Sequence, residues 1–187
     1  MNQELLQQGM AASRSGDSRR AIALYEQAIT GGQPDARAHF LLASELASVG
    51  EMARAESAFA NAVLLAPDWH IARYQLGLLQ FSSARGAAAL VTWEPLFALD
   101  ESDCLVHFVR GFASLAQDDF AKATAHFRAG LALPIENAAL AGDIEKVLAR
   151  ITQVTSTTLT AASPAPGEAG AESHVLVSNY GRIGNLH

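Results

Sequence analysis

The chain has 187 residues, a net charge of −6 and a pI near 5.4. An acidic chain without a basic stripe argues against nucleic-acid binding, the single cysteine excludes an internal disulfide, and no apolar run is long enough to cross a membrane. Because the first residues lack the cationic start and the apolar core of a secretory signal, we expect a cytoplasmic protein.

The chain repeats itself at a spacing of 34 residues. The stretch "HFLLASELASVGEMARAESAF" begins at His39, and "HFVRGFASLAQDDFAKATAHF" begins two such steps later, at His107. One column of the repeat is always alanine: Ala21, Ala55, Ala89 and Ala123. A second column is always small: Gly9, Ala43, Gly77 and Gly111. A third is always aromatic: Tyr25, Phe59, Trp93 and Phe127.

This pattern resembles the tetratricopeptide repeat, a helix–turn–helix unit of 34 residues. The resemblance implies an all-α fold, a right-handed α-α superhelix or solenoid, in which the small columns let paired helices approach closely. It covers residues 2–135 as four repeats with approximate bounds 2–34, 35–68, 69–102 and 103–135. The turns "GD" at Gly16, "GE" at Gly50 and "DD" at Asp118 fit the junction between the two helices of a repeat.

Repeats three and four depart locally from the family pattern. Pro95 falls inside the second helix of repeat three, where a proline removes a backbone hydrogen bond and is expected to kink the helix. Repeat three also reads "SSARGAAAL" where the other repeats have their turn. Arg110 stands at a usual leucine position, so its guanidinium must reach solvent or a carboxylate.

The segments after the repeats change in character. Residues 137–154 predict a capping helix that begins at Asn137 and covers the open end of the array. Residues 156–172 are rich in threonine, alanine, serine and proline and predict a flexible linker. Residues 173–187 form a non-helical tail that regains apolar side chains: Val175, Leu176, Val177, Tyr180 and Ile183.

No group of residues predicts catalysis, a metal site or a cofactor. His39 and His107 stand two repeats apart, too far for one metal ion. Cys104 and His107 lie one helical turn apart, but no second pair accompanies them. Glycine-rich phosphate loops and nucleophile motifs are absent from the sequence. We therefore expect a protein that is not an enzyme.

The resemblance places a binding surface on the first helix of each repeat, at its second, fifth, ninth and twelfth positions. In repeats two to four these positions are mostly apolar, which predicts a groove for an apolar peptide or an amphipathic helix. Ordinary packing between first helices is the alternative. The predicted groove residues are Phe40, Ile71, Tyr74, Leu78, Phe81, Leu105, Phe108, Phe112 and Leu115.

The sequence thus predicts a scaffold or adaptor whose partner is another protein, and whose groove could also take the chain's own tail, in cis or from a second copy. A chaperone similar to the class II chaperones of type III secretion is one alternative, and a self-assembling structural protein is another. The carboxylate clamp of some family members is missing, since its positions hold Leu6, Met10, Leu41, Ile71 and Gln75.

Overall fold

The computed structural model describes residues 2–31, 33–135 and 137–161, with side chains for those between 3 and 157. Within these ranges the chain forms α-helices and one 3-10 helix, and no strand. The α-helices are α1 (Asn2–Arg14), α2 (Ser18–Thr30), α3 (Ala36–Ser48), α4 (Met52–Leu65), α5 (His70–Ser82), α6 (Gly86–Trp93), α7 (Cys104–Leu115), α8 (Phe120–Leu131) and α9 (Ala138–Ala161). The 3-10 helix spans Glu94–Ala98. The all-α prediction is confirmed, and each predicted repeat contains its two helices.

Aspartates start four of these helices. The carboxylates of Asp17, Asp35, Asp103 and Asp119 each accept a hydrogen bond from a backbone N–H in the first turn of the helix that follows. Such a cap satisfies a donor that the helix itself cannot, and typically contributes ~1 kcal/mol. Asn137 caps α9 in the same way through the N–H groups of Ala139 and Leu140, as its sequence position predicted.

The turn inside every repeat has the same geometry. Its central residue has a positive φ, between 56° and 83°, at four positions spaced by the repeat length: Gly16, Gly50, Ala84 and Asp118. At each turn this residue donates its N–H to the carbonyl three residues back, and the next residue donates to the carbonyl five back, at 2.9–3.1 Å. This is the Schellman closure of a helix C-terminus. Repeat three makes the turn with alanine, which explains why its sequence lacked the signal.

The three columns of the repeat form the helix contacts. Ala21, Ala55, Ala89 and Ala123 have no exposed surface, and the aromatic column is buried beside them. A Cβ built on Gly111 would lie 2.5 Å from the ring of Phe127, so only glycine lets α7 approach α8 this closely. Gly9 and Gly111 therefore determine the distance between the paired helices of repeats one and four, as the family resemblance implied.

The described chain divides into two compact units, residues 2–92 and residues 93–161. The first unit contains α1 to α5 and most of α6, and its core is built mainly from α1 to α5. The second contains the 3-10 helix, α7, α8 and α9. The division falls at the end of α6, inside the predicted third repeat.

Pro95 and Arg110 behave as their chemistry requires. The α-helix stops at Trp93, and Pro95 lies in the 3-10 helix that follows, because proline cannot supply the N–H that an α-helix needs there. Arg110 finds its carboxylate partner in Glu101, with Nη1 2.6 Å from Oε1.

The terminal helix α9 is longer than predicted. Leu140, Ile144, Val147 and Ile151 form its buried stripe, but the helix continues to Ala161, past the expected start of the linker at 156. Thr155 and Thr157 donate their hydroxyls to carbonyls four residues back. Ser/Thr side chains satisfied in this way can remain inside a helix. The predicted tail 173–187 lies outside the described residues.

Candidate binding face

The predicted groove residues differ in how much surface they expose. We call the second, fifth, ninth and twelfth repeat positions on α1, α3 and α5, all in the first unit, the first-helix face. Phe40, Ile71 and Leu78 of this face are partly exposed. The remaining predicted groove residues are buried: Tyr74, Phe81, Leu105, Phe108, Phe112 and Leu115. The partly exposed trio is therefore the part of the predicted groove with accessible atoms in this structure.

In the second unit, the predicted groove residues Phe108 and Phe112 both pack on α8, and Phe112 also contacts Trp93. The ring of Phe108 lies against Gly130 of α8, where an added Cβ would come within 2.5 Å of it. The ring centroid of Phe112 lies 5.0 Å from that of Phe127 in an edge-to-face arrangement and 5.4 Å from that of Trp93. Such pairs stabilise a core beyond their buried area. Phe108 and Phe112 therefore pack on residues of second helices, which is neither an open groove nor the packing between first helices that was the alternative to it.

In the first unit, the partly exposed residues stand on two first helices. The ring of Phe40 on α3 packs on Phe59 at a centroid distance of 5.5 Å and on Trp69 at 4.7 Å. Ile71 and Leu78 lie two turns apart on α5, so they share one side of that helix. These contacts fix the orientation of Phe40 while leaving part of its surface accessible.

A polar contact joins α1 and α3 next to this face. Ser13 at the end of α1 donates its hydroxyl to Glu45 Oε2 of α3 at 2.6 Å. Glu45 is only 7% exposed, so this hydrogen bond offsets part of the cost of burying its charge. Burial, and next the negative charge of Glu45, raise the pKa of Tyr25. Arg37 of α3 reaches the sulfur of Met10 at 3.9 Å, which places α1 and α3 side by side at this point.

A separate groove lies between the second helices α2 and α4 of the first unit, with α3 also lining it, and we call it the second-helix groove. It has a volume of about 640 Å³, with an apolar floor that includes Leu42 and Leu46. Its rim carries the ion pair of Arg54 with Glu26, at 2.5 Å. His39 also lines it, and burial lowers the pKa of this imidazole despite the opposing effect of Asp35. His39 thus lines this groove, whereas its neighbour Phe40 lies on the first-helix face.

The second unit carries a polar cluster around Glu101. His107 Nε2 donates to the backbone carbonyl of Glu101 at 2.9 Å, and the carboxylate of Glu101 binds Arg110. Burial, followed by the charges of Arg110 and His107, lowers the pKa of His126. Burial and the neighbouring Asp103 raise the pKa of the Cys104 thiol. No group of metal-ligating side chains comes together among the described residues.

None of the helices that the structure describes combines the length and apolar character that crossing a bilayer requires. No protein-family model matches the chain, and no curated protein sequence does. Solved structures do match. TTC0263, a thermophilic TPR protein in Thermus thermophilus, is 20% identical, with 83% of each chain covered and a TM-score of 0.65.

Two further structures agree with this result. MamA 41-end from Desulfovibrio magneticus RS-1 is 16% identical, covering 87% of this chain and 97% of that one, with a TM-score of 0.60. A chain of the APC/C hetero-tetramer Cut9-Hcn1 is 21% identical over 81% of this chain and 30% of that one, with a TM-score of 0.61. The fold is that of the tetratricopeptide repeat. The predicted fold is confirmed.

Two surface features of this tetratricopeptide fold were missed from the sequence. A glutamate such as Glu45 in an amphipathic helix normally reads as solvent-exposed, and nothing in the sequence pairs it with Ser13. The second-helix groove was missed because its lining residues come from three helices, and its floor residues have the same spacing as ordinary core residues. Both features depend on which helices stand side by side.

Proposed function

We propose that the protein is a non-enzymatic adaptor that binds an apolar segment of another protein on its first-helix face. The observation that carries this proposal is the accessible trio Phe40, Ile71 and Leu78 in the first unit. Phe40 is held by two aromatic neighbours, so it can present surface to a ligand at little cost in side-chain entropy. The tetratricopeptide fold supports an interaction role by analogy of architecture.

The test compares two matched pairs of alanine substitutions in the full-length chain. The first pair, Ile71→Ala with Leu78→Ala, truncates the first-helix face. The second pair, Leu64→Ala with Val91→Ala, truncates side chains that are 76% and 77% exposed on α4 and α6. Partners captured from a cell extract and identified by mass spectrometry are then titrated against each variant. Anchor residues typically cost roughly 2 kcal/mol or more on truncation, so the first pair should lose binding and the second should not.

The second-helix groove is the rival site in this experiment. Ser57 is a residue of its lining that keeps access to solvent, so Ser57→Arg places bulk and charge there without entering the core. We expect Ser57→Arg to bind partners normally. If it alone loses them, the second-helix groove is the binding site and the first-helix face is not.

Self-assembly is the second candidate, carried by the apolar residues of the segment 173–187. That segment follows a polar stretch and has apolar side chains that a purely solvated extension does not need. Sedimentation of the full chain and of a chain ending at Ala161 over a range of concentrations decides it. A mass that rises with concentration only in the full chain supports exchange of the tail between copies. Equal monomeric masses contradict it. The chaperone alternative is distinguished by the identity of the captured partner.

A further inference from the structure

The first-helix face of the first unit has an unusual charge for this protein. The chain carries 19 acidic and 13 basic residues, yet among the groove positions on α1, α3 and α5 the one charged side chain is Arg37. The rest are apolar or neutral polar. An acidic protein thus presents a cation, and no carboxylate, at the positions where the proposed function places the ligand.

Arg37 differs from the paired arginines of the described chain. Arg54, Arg85 and Arg110 each bind a glutamate side chain within 4 Å. Arg37 makes no such ion pair with a described carboxylate, and its guanidinium contacts the Met10 sulfur at 3.9 Å. The nearby Asp35 accepts the backbone N–H of Arg37 as the α3 cap.

Glu45 on the same helix is not an ion-pair partner of Arg37. Its carboxylate is buried and hydrogen-bonded by Ser13. Arg37 keeps access to solvent and lies one helical turn before Phe40, so a cation and an aromatic ring stand side by side on α3. A ligand that covers Phe40 brings its own atoms beside the guanidinium, which is a planar donor suited to a carboxylate.

We propose that the ligand of this face is an apolar segment carrying an aspartate or glutamate, whose carboxylate pairs with Arg37 while its apolar side chains pack on Phe40, Ile71 and Leu78. This inference rests on the proposed function and adds the charge of the ligand to it. It differs from the family's carboxylate clamp, whose positions here hold other residues, because it uses one arginine beside an apolar anchor.

The experiment uses two synthetic peptides with the same amphipathic pattern of leucines, one with glutamates at its ends and one with lysines. Each is labelled and titrated with the full-length protein by fluorescence anisotropy. We expect the glutamate peptide to bind more tightly, and added salt to reduce the difference because exposed charges are screened. Exposed ion pairs are weak, so the loss expected from removing Arg37 alone is ~2–5-fold.

Arg37→Glu reverses the charge and should remove the preference for the glutamate peptide. Arg19→Glu is its matched control, because both arginines reach solvent and occupy the second residue of a helix capped by aspartate. A glutamate there is favourable to the helix dipole, so neither variant should unfold. The expected result is a loss of ~10-fold for the glutamate peptide with Arg37→Glu, from lost attraction and added repulsion, and no loss with Arg19→Glu.

The outcomes separate the inference from the proposed function. If Ile71→Ala with Leu78→Ala weakens both peptides but Arg37→Glu changes neither, the face binds apolar segments and the charge inference is wrong. Equal losses from Arg37→Glu and Arg19→Glu indicate a general charge effect and also contradict the inference. If the wild-type protein binds neither peptide, or the double alanine variant binds both normally, the proposed function itself fails.

Discussion

The turn of repeat three predicts that replacing Ala84 by glycine stabilises the protein. Ala84 has φ of 61°, a left-handed conformation that its repeat-related counterpart Gly50 adopts at 83°. This conformation costs a residue with a Cβ ~1–2 kcal/mol. Glycine loses more chain entropy on folding than alanine does, and this offsets about 0.4–1 kcal/mol of the stabilisation. The net expectation for Ala84→Gly is stabilisation by roughly 0.5–1 kcal/mol.

The reciprocal variant Gly50→Ala provides the control. A Cβ on Gly50 would meet no atom within 4 Å, so its effect is conformational and should be destabilising by about the same amount. Urea unfolding followed by circular dichroism measures both, and a change of about 1 kcal/mol should move the midpoint of thermal unfolding by ~2–4 °C. If both variants unfold together with the wild type, or both shift in the same direction, the backbone argument is refuted.

Two other predictions follow from helix contacts and from burial. Gly111→Ala should destabilise by ~1–3 kcal/mol because its methyl group overlaps the Phe127 ring, whereas Gly142→Ala in α9, where a Cβ meets nothing, should stabilise by up to ~1 kcal/mol; equal effects in urea unfolding would contradict the close-contact account. Burial lowers the pKa values of His39 and His126 in the folded state. Near the ordinary histidine pKa of about 6.5, the unfolded chain therefore binds more protons than the folded protein does. Unfolding free energy should therefore decrease as the pH falls from about 7 through 6.5 toward the lower folded-state values, and His126→Gln should reduce that dependence; an unchanged slope refutes the role of His126.

Sequence was sufficient for the features that repeat. The alanine, small and aromatic columns could be read because each recurs at every step of 34 residues, and each is a helix contact in the structure. For Arg110 the sequence left solvent or a carboxylate as the options, and the structure gives it the carboxylate of Glu101. The capping role of Asn137 followed from local chemistry alone.

Features that depend on the neighbours of a helix were less predictable. Phe108 and Phe112 occupy expected groove positions, but Gly130 makes room for the first and Trp93 stacks on the second. Their burial depends on small and large residues that face each other across helices. The sequence prediction ended α9 too early because a Ser/Thr-rich stretch resembles a linker. In the structure the hydroxyls of this stretch donate to carbonyls of the preceding turn, so the helix continues.

The most direct test of the proposed function is the affinity of one captured partner for the two alanine pairs, measured by calorimetric titration at one salt concentration. The account predicts that Ile71→Ala with Leu78→Ala weakens binding by about 30-fold or more, since a loss of roughly 2 kcal/mol corresponds to that factor at about 1.4 kcal/mol per tenfold. Leu64→Ala with Val91→Ala should leave the dissociation constant unchanged, because those exposed side chains lie on second helices. If the first pair binds as the wild type does, or the second pair loses as much, the first-helix face is not the binding site.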